Sequence, residues 1–283
     1  IIDPHIHLFA LAQGKYHWLK PENPPFWPDK YKICRNVTEQ ELSLTKPLHL
    51  DGFVHIEAGF DNERPHLEIE WLERHCTQRF RSVAVVDLLL PQEEFIRNIK
   101  TLTKYETLVG VRHIFDESAL DILCGPNTLG NLALLAKHDL HFELQMPFND
   151  ESSLEHLLNV LRQLPELRMI INHAGFPPYT EATESIAWRV WYDHLLAVAA
   201  YPNVAIKCSG FEMMERRYSV NWQRHVIHAC VELFGVNRVM LASNFPLCLL
   251  TTNYQALWQS LARMGEAQSQ DLLLNNAGRW YRF

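Results

Sequence analysis

Several things are scarce or missing in this chain. Its cysteines, Cys34, Cys76, Cys124, Cys208, Cys230 and Cys248, are scattered, and no two form a C-x-x-C pair. That excludes a sequence-readable disulfide framework and fits reduced, structural thiols in a cytoplasmic protein. No apolar run approaches the ~20 residues needed to cross a bilayer, so no membrane partner is expected. No signal peptide is visible, but the sequence starts inside what reads as a strand, Ile1-Ile2, so the loss of leading residues with a targeting segment stays open. There is no basic excess: 26 Lys and Arg stand against 33 Asp and Glu, a net charge of -7. Nucleic acid is therefore not expected as the main partner. A G-x-G-x-x-G fingerprint, an internal repeat and a low-complexity tract are all missing too.

What is present is a regular alternation. The 283 residues are 47% hydrophobic and 21% charged, ordinary for a globular chain with a sizeable core. Short β-branched runs occur at 1–7, 52–58, 82–88, 108–114, 141–146, 169–173, 204–209 and 238–243. Most are near-continuously apolar, as parallel strands buried on both faces are. Between them, apolar residues spaced by three and four predict helices at 65–76, 92–105, 128–138, 152–164, 184–201, 221–234, 254–264 and 269–276. Asn149-Asp150 supplies a cap for the fourth. Eight strand–helix units predict an α/β chain with one (β/α)8 TIM-barrel domain over 1–283. Residues 10–50 break the pattern. Pro21, Pro24, Pro25 and Pro28, with Trp18, Phe26, Trp27 and Tyr31, make a stiff aromatic loop with helical spacing only at 38–44. It is expected either to cover a substrate or to cover the barrel's bottom or side.

Barrel active sites lie at the C-terminal ends of the strands. There the chain is conspicuously polar. Strand one ends in Asp3-Pro4-His5-Ile6-His7, whose two histidines share a face. Strand two ends in His55-Ile56-Glu57, strand four in Arg112-His113, and strand six in Asn172-His173-Ala174-Gly175. Strand five offers Glu143 and Gln145. Strand seven carries Lys207 before Ser209-Gly210, and strand eight ends in Ser243-Asn244-Phe245-Pro246. Buried polar groups cost free energy unless paired, so this many at one mouth reads as a site. Arg112 and Lys207 are suited to a substrate carboxylate. Lys207 has a second reading, an interior ion pair with Glu143. Alternation sets Arg112 and His113 on opposite faces. His55 and Glu57 read either as substrate-facing groups or as a structural pair. Trp18, Trp27 and Phe245 read as pocket walls or packing.

Asp3 to His7, the Trp/Pro loop, Asn172 to Pro177, Val204 to Gly210, Ser243 to Pro246 and the ending Asn276 to Tyr281 together resemble the amidohydrolase superfamily. More narrowly, they resemble its amidohydrolase-related branch, which includes sugar-lactone and pyrone-dicarboxylate lactonases. The resemblance implies that His5, His7 and His173 bind a divalent metal, zinc or manganese, or polarise a carbonyl without one. It also implies that Asn244 falls where the family has a catalytic aspartate. An amide has no accessible titration, so it cannot accept the water proton as that carboxylate would. His113, Glu57 and His55 are the alternative bases, and Asn244 could instead orient a metal-activated water. The expected function is a hydrolase opening a lactone or related cyclic ester, with His173, Asn244 and His113 in catalytic roles and a small molecule as partner. Two other outcomes stay open: a metal-dependent decarboxylase, and a non-catalytic binder that has lost the aspartate. The sequence leaves a homo-oligomer open.

Overall fold

Eight short parallel strands lie side by side in chain order: β1 (Ile2–Ile6), β2 (Gly52–Ile56), β3 (Phe80–Val85), β4 (Leu108–Ile114), β5 (His141–Gln145), β6 (Met169–Ile171), β7 (Val204–Cys208) and β8 (Val239–Leu241). The computed structural model describes residues 1–180, 185–264 and 270–283. Each strand pairs in parallel with the next. The ring closes between β8 and β1 through a parallel bridge from Ile6 to Phe245, with His7 N–H donating to the Phe245 carbonyl at 2.6 Å. Asp3 reinforces that seam. Its carboxylate accepts from Ser243 N–H at 3.1 Å, from Ser243 Oγ at 2.5 Å and from the Tyr254 hydroxyl at 3.1 Å.

The helices are α1 (His66–His75), α2 (Gln92–Leu102), α3 (Ala119–Leu123), α4 (Thr128–Lys137), α5 (Glu151–Gln163), α6 (Ile186–Ala199), α7 (Phe211–Met214), α8 (Val220–Phe234), α9 (Tyr254–Met264) and α10 (Asn276–Trp280). The alternation predicted from the sequence is thus a (β/α)8 barrel. Asp150 caps α5 by accepting from Ser153 N–H at 2.8 Å. No single helix among the described residues is long and apolar enough to cross a membrane.

Differences from the expected boundaries are local. The third strand runs 80–85 rather than 82–88, and the sixth stops at Ile171, so His173 sits in a turn. The helical spacing at 38–44 yields one turn, Glu39–Glu41. The short helices α3 and α7 had no readable periodicity. Two expected helix starts, Glu184 and Ser269, lie outside the described residues.

The barrel interior is layered. Ile2, Val54, Ile56, Val83, Val109, Ile170, Ala205 and Met240 pack with Ala277 and Tyr281, from the C-terminal end of the chain, in one buried apolar cluster. Next comes a charged layer. Lys207 Nζ lies 2.6 Å from Glu143 Oε2, and Tyr281 donates its hydroxyl to Glu143 Oε1 at 2.6 Å. The imidazoles follow toward the strand ends. Residues 18–27 lie at that mouth, while Glu39 meets Thr77 and Gln78, and His49 meets Ile1, at the opposite end of the strands. Lys30 is buried and donates to the carbonyls of Trp18, Lys20 and Asn23 at 2.8, 3.1 and 2.7 Å, which uses all three ammonium protons. Trp18 Nε1 donates to the Ala58 carbonyl at 2.8 Å, and the Arg216 guanidinium stacks 4.9 Å over Trp27 while bonding Asp29 at 2.9 Å.

Candidate active site

A cavity of about 670 Å³ opens at the C-terminal ends of the strands. Its wall includes His7, Glu57, Arg112, Gln145, His173 and Asn244 below, and Trp18, Pro24, Pro25 and Trp27 from the long loop. Beneath it the three expected histidines meet. The His5 ring centroid lies 5.0 Å from that of His7 and 4.6 Å from that of His173. Burial pushes all three well below the ordinary imidazole value. The Lys207 charge adds to this for His5, and Arg112 adds to it for His7 and His173. Neutral rings result, each with one N–H and one lone pair.

Neighbours fix the orientation of two rings. His7 Nδ1 lies 2.8 Å from the Ile56 carbonyl. A carbonyl only accepts, so Nδ1 carries the proton and Nε2 the lone pair. His173 Nδ1 lies 3.0 Å from Ser209 Oγ, which leaves Nε2 for the cavity. The backbone holding His173 is unusual. His173, Ala174, Gly175 and Phe176 have φ of 52°, 51°, 66° and 56°, four left-handed residues in succession. Asn244 is also left-handed at φ 56°. Non-glycine residues pay roughly 1–2 kcal/mol each for this region, and such strain concentrates at functional sites. Gly210, at φ 67°, makes room for the ring: a Cβ there would stand 2.4 Å from His173 Nδ1.

His5 tests whether a metal suits these residues. Both of its ring nitrogens are buried without a hydrogen-bond partner, and three neutral imidazoles are the right donors for zinc or manganese. Among the described residues no carboxylate joins them in such a group. Among the described residues, no three His, Cys, Asp or Glu side chains already converge as a coordination sphere. The donor chemistry fits a divalent ion, while the packing does not preform its cage.

Other expected residues sort differently. Arg112 reaches the cavity, but Glu57 meets its guanidinium at 2.6 Å and Gln145 Oε1 accepts from Nη1 at 2.9 Å. Its charge is already answered. Lys207 is not brought to the cavity wall. It forms the interior pair with Glu143 that the sequence offered as its second reading. Burial would raise the Glu143 carboxyl, but Lys207 and the hydrogen bond from His141 outweigh that and hold it well below the carboxylate range. His55 and Glu57 do not share a direction, because β2 ends at Ile56 and Glu57 bends into the mouth. His55 turns toward α1. Leu8 N–H donates to its Nδ1 at 3.2 Å and its Nε2 lies 3.0 Å from Glu68, a structural pairing that leaves no free nitrogen. His113 faces away from Arg112, as alternation requires. Its Nδ1 accepts from Leu88 N–H at 3.2 Å, and it takes no part in the cavity wall. Trp18 and Trp27 are walls, and Phe245 packs on Tyr254 in the core.

The sequence reading missed Asp116, Glu117 and Glu212. Asp116 and Glu117 follow β4 and line the mouth, where Gln145 donates to Asp116 at 3.2 Å. Glu212 lies two residues past Gly210 and bonds Asn244. Carrying the strand-end rule into the turn after each strand would have found all three.

An eight-stranded barrel with histidines converging at its mouth is the architecture of the metal- and histidine-dependent hydrolases as a class. The narrower assignment is direct: the Amidohydrolase family profile matches residues 2–283, and this chain belongs to that family. An L-fucono-1,5-lactonase of Burkholderia ambifaria is 33% identical over 258 residues, covering 89% of this chain and 82% of the relative. An uncharacterised protein of Sinorhizobium fredii is 28% identical across all of this chain and 98% of its own length. Among solved structures, a zinc-bound amidohydrolase from Burkholderia multivorans superposes with TM-score 0.78 at 20% identity, covering 100% of this chain and 99% of that one.

Proposed function

We propose that this chain is a hydrolase that opens an uncharged lactone, of the sugar-lactone kind, by attack of water on the ring carbonyl. The carrying observation is the group of neutral imidazoles at the cavity floor, with His7 and His173 in its wall beside Asn244. Without an ion, the Ser209 hydroxyl donated to His173 Nδ1 leaves an Nε2–H to polarise the carbonyl oxygen as negative charge builds on it, whereas Nδ1–H donated to Ser209 frees the Nε2 lone pair for an ion. His7 presents the opposite character, a lone pair on Nε2, which takes the proton of the attacking water as its oxygen bonds the carbonyl carbon and returns it to the ring oxygen as the ring C–O bond breaks. Asn244 orients that water. Trp18 and Trp27 exclude bulk solvent. His5, His7 and His173 are the residues that would hold a divalent ion, which when bound polarises a carbonyl and lowers the pKa of water toward ~7.

The charge of the wall favours an uncharged substrate. Arg112 is its sole cation among the described residues and Glu57 takes its charge, while Asp116 and Glu117 add negative groups. A dicarboxylate would find no free positive partner there. The lactonase name of the Burkholderia ambifaria relative supports the same choice.

A panel of sugar lactones in weak buffer with a pH indicator, run with and without chelator, tests this. The expected result is acid release by the parent and a fall of about 100-fold or more in His173→Ala, the usual scale for losing a donor to the developing oxyanion. Release of acid from none of the lactones, under either condition, contradicts the reading.

A further inference from the structure

Position 244 carries an amide where proton transfer calls for a carboxylate, yet a carboxylate stands one hydrogen bond away. Glu212 lies in α7, directly after β7, and its side chain is buried. Asn244 Nδ2 donates to Glu212 Oε1 at 2.6 Å and lies 3.4 Å from Met213 Sδ. The other end of the amide, Asn244 Oδ1, is buried without a partner, and Asn244 lines the cavity. The amide therefore has one end committed and one end unspent.

An ionised carboxylate has only acceptors, so it can face only the NH₂ end of an amide. A protonated carboxyl can donate its O–H, so it pairs with the carbonyl end equally well. The two ends of an amide are almost the same size, so a half-turn of the Asn244 side chain needs little room. The charge on Glu212 thus decides which end of Asn244 is left free.

We infer that Glu212 is a positioning residue for Asn244: as a carboxylate it holds the NH₂ end and leaves the unpartnered Oδ1 as the end free to accept a hydrogen bond from the attacking water. The water's part in this rests on the hydrolase reading; the carboxylate–amide pairing does not. No bond is made or broken by Glu212 itself, and the water proton is not transferred to it.

The surroundings set where the device works. Burial raises the Glu212 carboxyl to about 7, against the Asn244 hydrogen bond and the Arg216 charge. Arg216, just past α7, bonds the Glu212 carbonyl and shares its charge with Asp29. Tyr218 and Cys248 also face Glu212, and burial pushes both upward, so neither is charged near neutrality. Below the Glu212 midpoint the preference for Oδ1 as the free end is lost.

The Asn244 side-chain amide, identified in ¹H–¹⁵N spectra of the full chain by its disappearance in Asn244→Ala, can be followed from pH 5 to 9. The expected result is a shift with a midpoint near 7, absent in Glu212→Gln. Should that variant fail to fold, the parent labelled with ¹³C-carboxyl glutamate serves instead: one carboxyl must titrate with the same midpoint as the amide. An amide that does not change with pH, or that changes with a midpoint no glutamate shares, overturns the inference. With a lactone that is turned over, kcat/KM should carry the same ionisation, and Glu212→Gln should flatten it while lowering kcat more than it alters KM. An amide that titrates in a chain that opens no lactone keeps the pairing and removes the hydrolase reading. Turnover with a pH-silent amide does the opposite.

Discussion

Gly210 shows how much a single position can decide. Its φ of 67° and the 2.4 Å separation of a hypothetical Cβ from His173 Nδ1 exclude any side chain there. Gly210→Ala adds a left-handed alanine, worth roughly 1–2 kcal/mol, and also pushes the imidazole off Ser209. The expected outcome is a modest fall in melting temperature, a few degrees, with a disproportionate loss of lactone opening, on the order of 100-fold. Measuring both on one preparation checks it: equal activity per folded molecule contradicts the proposed role of His173. The same scale shows what could be read beforehand. His5 and His7 were legible because two residues on a strand share a face. Arg112 and His113 were legible as opposites for the same reason. The direction of Glu57 was not, since strand alternation stops at Ile56. Nor was the engagement of Arg112, which depends on Glu57 and Gln145 meeting it from β2 and β5.

Among elements, the β8–β1 seam holds a buried carboxyl. Asp3 is fully buried there, and burial raises its carboxyl from 3.8 to about 6, against hydrogen bonds from Ser243, His5 and Tyr254. A raised carboxyl means that the folded chain binds the proton more tightly than the unfolded one. Its contribution is therefore fully present below about 4, and is lost as pH rises through about 6. The linked free energy is on the order of 3 kcal/mol. Asp3→Asn cannot ionise, so its melting temperature should change less between pH 4.5 and 8 than the parent's, by roughly 5 °C or more. Identical pH dependence in the two proteins contradicts the seam account. The strands of this seam were legible from their apolar runs. The long loop's path was not: residues 10–37 have no period to read, and the loop is held by Lys30 gathering three carbonyls within it and by Arg216 reaching Trp27 and Asp29 from far along the chain.

On the scale of the whole molecule, the alternation of apolar strand and amphipathic helix was enough to give the (β/α)8 barrel, because closure of a parallel ring leaves strand order little freedom. Where the candidate cavity lies followed from the same rule. What it accepts did not, because that depends on which charges cancel after folding. Lys207 and Glu143 cancel inside the barrel, and Arg112 and Glu57 cancel at the mouth. The chain's net charge of -7 is then joined by an acidic rim of Asp116 and Glu117. The central claim is that neutral histidines open an uncharged ring in a mouth that repels anions. Its most direct measurement is kcat/KM for a sugar lactone beside that for a pyrone dicarboxylate on the same purified chain. The account predicts turnover of the sugar lactone, with the dicarboxylate at least about 100-fold poorer and improved when Glu117→Gln removes a rim charge. Preference for the dicarboxylate in the parent protein would contradict it.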